Sequence, residues 1–191
     1  MSSRIVSFDD LSKTNRPPSI ILDTNFIINL THTYTNRSPS RNAVDCSNFI
    51  KSLVHDECEI SIPQIVVNEF CHQIYMDVLS EHQHKQNVSG DKIALYKKKP
   101  NLITPGHDKI QGAIKALDGI TSKRELNEGG IALRDRALAL MRQYHFLPSD
   151  AYIAAIAIEN KIGHIATFDR YFAKRISEHY LKVFMPGELI R

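Results

Sequence analysis

Leu147–Phe172, LPSDAYIAAIAIENKIGHIATFDRYF, is the stretch whose reading decides the fold. Pro148-Ser149-Asp150 reads as a helix start, because proline suits a first turn and Ser or Asp offers an oxygen to exposed N–H groups. The following AYIAAIAIEN is apolar nearly all round, so a globular protein must bury this helix on several sides. Its alanines let it lie close to a sheet. Lys161-Ile162-Gly163 ends the helix, and His164-Ile165-Ala166-Thr167 reads as a short buried strand. Asp169 follows at once. A carboxylate at a helix start and another just past the next strand meet at the carboxyl edge of a parallel sheet, where open α/β folds place their ligands.

The same grammar recurs upstream. Ser19-Ile20-Ile21-Leu22 is a compact apolar strand that Asp23 ends, and FIINL after Thr24-Asn25 turns into a short helix. THTYTNRSPSR (31–41) reads as a surface loop. Ala43–Val54 carries apolar residues at helical spacing. Glu59-Ile60-Ser61-Ile62 is a second strand, and Pro63 opens a helix reaching about Glu81, with Val66, Val67, Phe70, Ile74 and Val78 on one face. Glu69 follows Ile65 by four and Val66 by three, so it sits on the shoulder of that face. A carboxylate there is paired or functional, because burying it alone is costly.

Residues 82–105 are polar, include Lys97-Lys98-Lys99-Pro100, and read as a loop excursion. Asp108–Leu117 and Gly130–Tyr144 read as helices, so 82–128 as a whole is expected to be a largely helical insertion. Lys182–Met185 is a last strand. Strands alternating with helices mean a parallel sheet and an α/β fold. Residues 1–18 end in Pro17-Pro18 and read as a polar N-terminal arm with little structure of its own, leaving 19–191 as one domain.

Composition bounds this reading. A chain of 191 residues is long enough for one domain with a sizeable core. Its net charge of +3 permits a polyanionic partner without demanding one. Three cysteines without a CxxC make poor evidence for a disulfide framework. The expected compartment is a reduced cytoplasm, with no membrane partner, since no apolar run is long enough to span a bilayer. The nine histidines show no zinc-ligand spacing.

Four carboxylates therefore stand at one inferred edge: Asp23, Glu69, Asp150 and Asp169. Singly, each has a plainer role. Asp150 suits a helix cap, Asp169 a turn or the cap of YFAKRIS, Asp23 a strand-ending turn, and Glu69 an ion pair. Together they would repel, and one or more pKa values would rise, unless a cation sat among them. All-oxygen ligands suit Mg²⁺ or Mn²⁺ rather than Zn²⁺. Such a metal activates water and stabilises charge developing on a phosphate, so the residues alone point to a metal-dependent hydrolase of phosphate esters.

ILDTNFII, SIPQIVVNEF, SDAYIAAIAIEN and IATFDRYF, in this order, resemble the four motif blocks of the PIN-domain nucleases, and within them are most similar to the VapC-type toxin ribonucleases. Asp23 matches the first acidic position and has Asn25 two residues on. Glu69 matches the second, Asp150 the third, and Asp169 the fourth, with Thr167 two residues before it. The resemblance spans about Ser19 to Met185.

That resemblance implies a three-layer α/β/α sandwich with the acids at the carboxyl edge of a central parallel sheet. It implies Mg²⁺- or Mn²⁺-dependent endonucleolytic cleavage of RNA by activated water, leaving a 5′-phosphate. Asp23, Asp150 and Glu69 would hold metal directly, Asp169 through water, and Asn25 and Thr167 would orient the carboxylates. It also implies a homodimer and an antitoxin partner. The extra length before Ser19 and over 82–128 departs from the compact toxins and suits a stand-alone RNA-processing enzyme instead.

Arg170 and Lys174, just after Asp169, are candidate phosphate contacts, whereas Lys97–Lys99 read as solvated surface. Tyr171 and Phe172 read as packing residues, and His164 as structural. The competing functions are a non-catalytic PIN module that binds RNA or protein, a DNA-directed nuclease, and a phosphatase of another α/β family. A halo-acid-type phosphatase wants aspartates two apart after the first strand, and Asp23-Thr24-Asn25 supplies one.

Overall fold

A computed structural model describes residues 4–11, 16–35, 40–122, 124–178 and 181–190. The chain divides into two compact units, one formed by Met1–Val67 with Ile120–Arg191, the other by Asn68–Gly119.

The first unit is built on a five-stranded sheet in which every pairing is parallel: β1 (Ile5–Ser7), β2 (Ser19–Leu22), β3 (Glu59–Ser61), β4 (His164–Ala166) and β5 (Lys182–Met185). Their order across the sheet is β1-β5-β4-β2-β3. Residues of β2 are buried throughout, as are Ile60, Ile165, Ala166, Val183 and Phe184. That is why these strands read as continuous apolar runs rather than alternating ones. The helices of this unit are α1 (Thr24–Thr35), α2 (Arg41–His55), α6 (Ile131–Tyr144), α7 (Pro148–Glu159) and α8 (Arg170–Ser177), with the start of α3 (Gln64–Gln86). The fold is the α/β parallel-sheet sandwich that the sequence predicts.

Three expectations are corrected. Ile5–Ser7, inside the expected unstructured arm, form edge strand β1, paired with β5 at Ile5–Val183 and Ser7–Met185. A short 3₁₀ turn over Phe8–Asp10 follows, and Phe8 is buried against the rings of Phe26, Phe49 and Phe168. Burial of one large ring offsets the ordering cost of a short polar segment. The loop expected over 31–41 is helical to Thr35, residues 36–39 lie outside the described set, and Ser40 caps α2 by accepting from the Ala43 N–H. Residues 82–105 are mostly helical rather than loop: α3 continues to Gln86, α4 covers Lys92–Lys98, and a 3₁₀ turn covers Pro100–Ile103.

α7 is buried on all sides, with Ala151, Ile153, Ala154, Ala155, Ile156 and Ala157 inaccessible or nearly so. It ends where Lys161, not Gly163, takes the left-handed conformation (φ 56°), with Ile162 N–H closing onto the Ala157 carbonyl at 2.8 Å. Asn160 then pins the 124–128 segment, exchanging hydrogen bonds with the main chain of Asn127. Arg124 adds a bond to the Asn160 carbonyl and a pair with Glu59 at the exposed edge strand β3. Covering that edge blunts its tendency to pair with another chain.

The second unit is helical: the remainder of α3, then α4 and α5 (Thr104–Asp118). Gly106 lets α5 approach Tyr75 of α3, since a Cβ there would meet the tyrosine ring at 2.9 Å. α4 buries no residue.

Candidate active site

Asp23 is the first residue after β2. Its N–H donates to the Ala166 carbonyl at 3.0 Å, continuing the β2–β4 ladder by one step, which holds the residue at the carboxyl end of the sheet. It is 4% exposed. Thr167, the first residue after β4, is fully buried and donates its hydroxyl to Asp23 Oδ2 at 2.6 Å. The same hydroxyl oxygen accepts the Asp169 N–H at 2.9 Å. A hydroxyl can do both at once, so one threonine fixes the Asp23 carboxylate and the turn into α8 together.

Asp169 is the N-cap of α8: its Oδ1 accepts the N–H groups of Tyr171 and Phe172 at 2.8 and 2.9 Å. The capping role open to Asp169 in sequence is thus realised, through one of its two carboxylate oxygens. Asp150 is different. Leu147, with no side-chain cap, occupies the N-cap position of α7, Pro148 opens the helix, and Asp150 is the third helical residue. Neither Ser149 nor Asp150 therefore occupies the N-cap position itself. α7 runs back to β4 through 160–163 alone, so its first turn, bearing Asp150, lies toward the carboxyl edge of the sheet. The positive end of its dipole favours a carboxylate there.

Glu69 is half-buried on α3 and belongs to the second unit. Asn25 is exposed, and the hydrogen bond it takes part in is made by its main-chain carbonyl, which accepts from Asn29. Among the described residues no hydrogen bond joins the Asn25 side chain to a carboxylate. The structure therefore brings Asp23, Thr167 and Asp169 into one hydrogen-bonded chain.

Among the described residues, no three His, Cys, Asp or Glu side chains gather into a ready-made metal cage. The donor chemistry still fits a hard divalent cation. Mg²⁺ keeps several of its waters and takes one or two carboxylates, so a buried, oriented Asp23 with Asp150 nearby in the topology is a sufficient protein contribution. A zinc site would need nitrogen or sulfur ligands. Burial pushes the Cys46 thiol well above its ordinary range and the Cys58 thiol up to about 12, and Cys46 lies within reach of the Phe26 carbonyl.

Arg170 and Lys174 are exposed on α8 and border a groove with Tyr171. Phe172 is fully buried, as expected of a packing residue. Tyr171 is not: it is 51% exposed, with the Arg175 guanidinium 3.9 Å from its ring centre. Its position beside a buried Phe172 on a short amphipathic helix carried the signal, since adjacent helical residues face different ways. His164 is structural, its Nδ1–H donating to the Ser19 carbonyl at 3.1 Å, and burial lowers its pKa.

A parallel sheet with an oriented, buried carboxylate at its carboxyl edge is the frame of an α/β enzyme of the nuclease type. The PIN domain profile matches residues 20–176, and the chain belongs to the PIN-domain family, a nuclease-type fold whose members typically use a divalent metal. No curated protein matches the chain as a relative. No helix among the described residues is long and apolar enough to cross a membrane.

Proposed function

We propose that this protein is an Mg²⁺- or Mn²⁺-dependent endoribonuclease that hydrolyses RNA phosphodiester bonds. The observation that carries the proposal is Asp23: a carboxylate 4% exposed, at the carboxyl edge of a parallel sheet, oriented by the Thr167 hydroxyl at 2.6 Å. Burying a carboxylate there carries a cost that a bound cation would offset.

In this reading Asp23 and Asp150 hold the metal, and Asp169 reaches it through water. The bound ion would lower the pKa of a coordinated water and stabilise charge on the phosphate. The Thr167 hydroxyl, donating to Oδ2, fixes the orientation of the Asp23 carboxylate. Asp169 anchors the start of α8 with its Oδ1, leaving Oδ2 for a water. Arg170 and Lys174 would draw the RNA backbone toward an edge that is otherwise acidic.

The test is RNA cleavage by wild type and Asp150→Asn in EDTA, Mg²⁺ and Mn²⁺, with a thermal melt in each. Metal-dependent cleavage that the substitution removes is expected. Neither cleavage nor metal-induced stabilisation would sink the proposal in favour of a non-catalytic RNA- or protein-binding module. Growth arrest on expressing wild type but not Asp23→Asn would place the enzyme among toxins, with an antitoxin partner. Unimpaired growth would favour a stand-alone processing role.

A further inference from the structure

We propose that the groove along α8 is a subsite for an unpaired nucleotide of the RNA, its base lying on Tyr171 and its flanking phosphates on Arg170 and Lys174. The proposal rests on the nuclease reading above and extends it from the reacting edge to the substrate's path.

The groove is about 530 Å³, within the size range of small-ligand sites. Its apolar lining is Ile5 of β1, Met185, Leu189 and Ile190, and α8 contributes Arg170, Tyr171 and Lys174. Arg170 and Lys174 are four apart, hence neighbours on one face about 5–6 Å from each other at Cβ. α8 contains three cations and no acid.

The third cation has a different task. Arg175 donates to the Tyr144 carbonyl and lays its guanidinium against the Tyr171 ring. The ring is thereby held in place, although half of the residue is exposed to solvent. A pre-oriented aromatic surface loses little freedom when a partner stacks on it. Flat ring, apolar wall and paired cations together match one base between two phosphates. An acidic peptide would use the cations but has no planar group for the ring. The groove begins one residue beyond Asp169, so a nucleotide seated there adjoins the acidic edge. A rigid duplex, with its bases stacked inward, offers nothing to Tyr171.

The experiment measures fluorescence anisotropy of an eight-nucleotide single-stranded RNA with the full chain carrying Asp150→Asn, in EDTA, over a salt series. Adding Tyr171→Ala is expected to weaken binding about tenfold, the cost of one lost stacking contact. Tyr171→Phe should stay within about twofold of the parent, since the ring remains. Lys174→Gln should weaken binding and lower the slope of log K against log salt by about 0.7, one phosphate contact on a single strand. Lys97→Gln, on α4, should match the parent. Tyr171→Ala binding as tightly as the parent would overturn the subsite, as would equal losses in the Phe and Ala variants or equal binding of duplex RNA. Cleavage of the same RNA by wild type in Mg²⁺ is scored apart. Groove variants without effect on an RNA that is still cleaved would remove the subsite and leave the nuclease. The expected binding pattern with no cleavage would remove the nuclease and retain an RNA groove.

Discussion

The sheet-bearing unit and the helical unit Asn68–Gly119 are organised by different contacts. In the first, order comes from partners far apart in sequence: Ile5 pairs with Val183, Leu22 with Ala166, and Asp23 with Thr167. In the second, the partners lie closer along the chain and sit on helices: Tyr75 stands against His107, and Glu81 pairs with Lys85 and Lys109. A catalytic edge needs the first kind of order. Groups from separate strands must meet within fractions of an ångström, and only a packed sheet holds them so.

The most forceful way to break this contrast is Phe26→Ala. Phe26 is fully buried and meets the rings of Phe8, Phe49 and Phe168. Its truncation should cost about 3–5 kcal/mol. Denaturant unfolding should show the loss in signals from the sheet unit. A probe in the helical unit, such as hydrogen exchange of α5, should respond less if the units are separately cooperative.

Asp23→Asn comes next and acts on chemistry. Cleavage should fall by at least about a hundredfold, close to 3 kcal/mol. Apo-protein melting should stay level or rise, because a buried charge is removed while an oxygen remains for Thr167. A lower melting temperature would mean that the carboxylate is structural.

Thr167→Val keeps the shape and deletes the hydroxyl that serves both Asp23 and the Asp169 N–H. Stability should drop by about 1–3 kcal/mol and cleavage with it, and Thr167→Ser should restore both. A change confined to the helical unit, Gly106→Val, forces side-chain atoms into the Tyr75 ring and should cost about 1–3 kcal/mol there, leaving Asp23-dependent cleavage measurable.

The mildest effect is a pH slope from His164. Burial lowers its folded pKa below the ordinary 6.5, so the unfolded chain takes up the proton first. The stability it contributes is present above pH 6.5 and lost as pH falls through the folded value. His164→Asn should flatten that slope in melts between pH 7 and 5.

Four of the five strands were legible because a parallel strand buried on both faces must be a short apolar run, and Ile20-Ile21-Leu22 is one. α7 was legible for the same reason: Ala151 to Ile158 has no polar face for water. Asp23 and Asp150 could be placed from that pattern, since each lies next to an element whose direction is set. The 31–35 and 82–105 segments were not. Their residues are polar enough for either loop or helix, and without an apolar stripe the sequence alone does not choose between them.

What the sequence determined by itself is therefore the list of buried elements and the carboxylates at their ends. Those are local properties, fixed by how much apolar surface each segment must hide. Tertiary structure alone decided the rest. Ile5-Val6-Ser7 is an edge strand because β5, nearly the whole chain away, offers it a free ladder. Thr167 orients Asp23 because β2 and β4 are neighbours in the sheet. Tyr171 is an exposed surface because Phe172 occupies the buried side of α8 and Arg175 holds the ring in place. Each of these depends on which distant segments lie side by side, and the hydrogen bonds and burial that reward such pairings exist only once the chain has closed on itself.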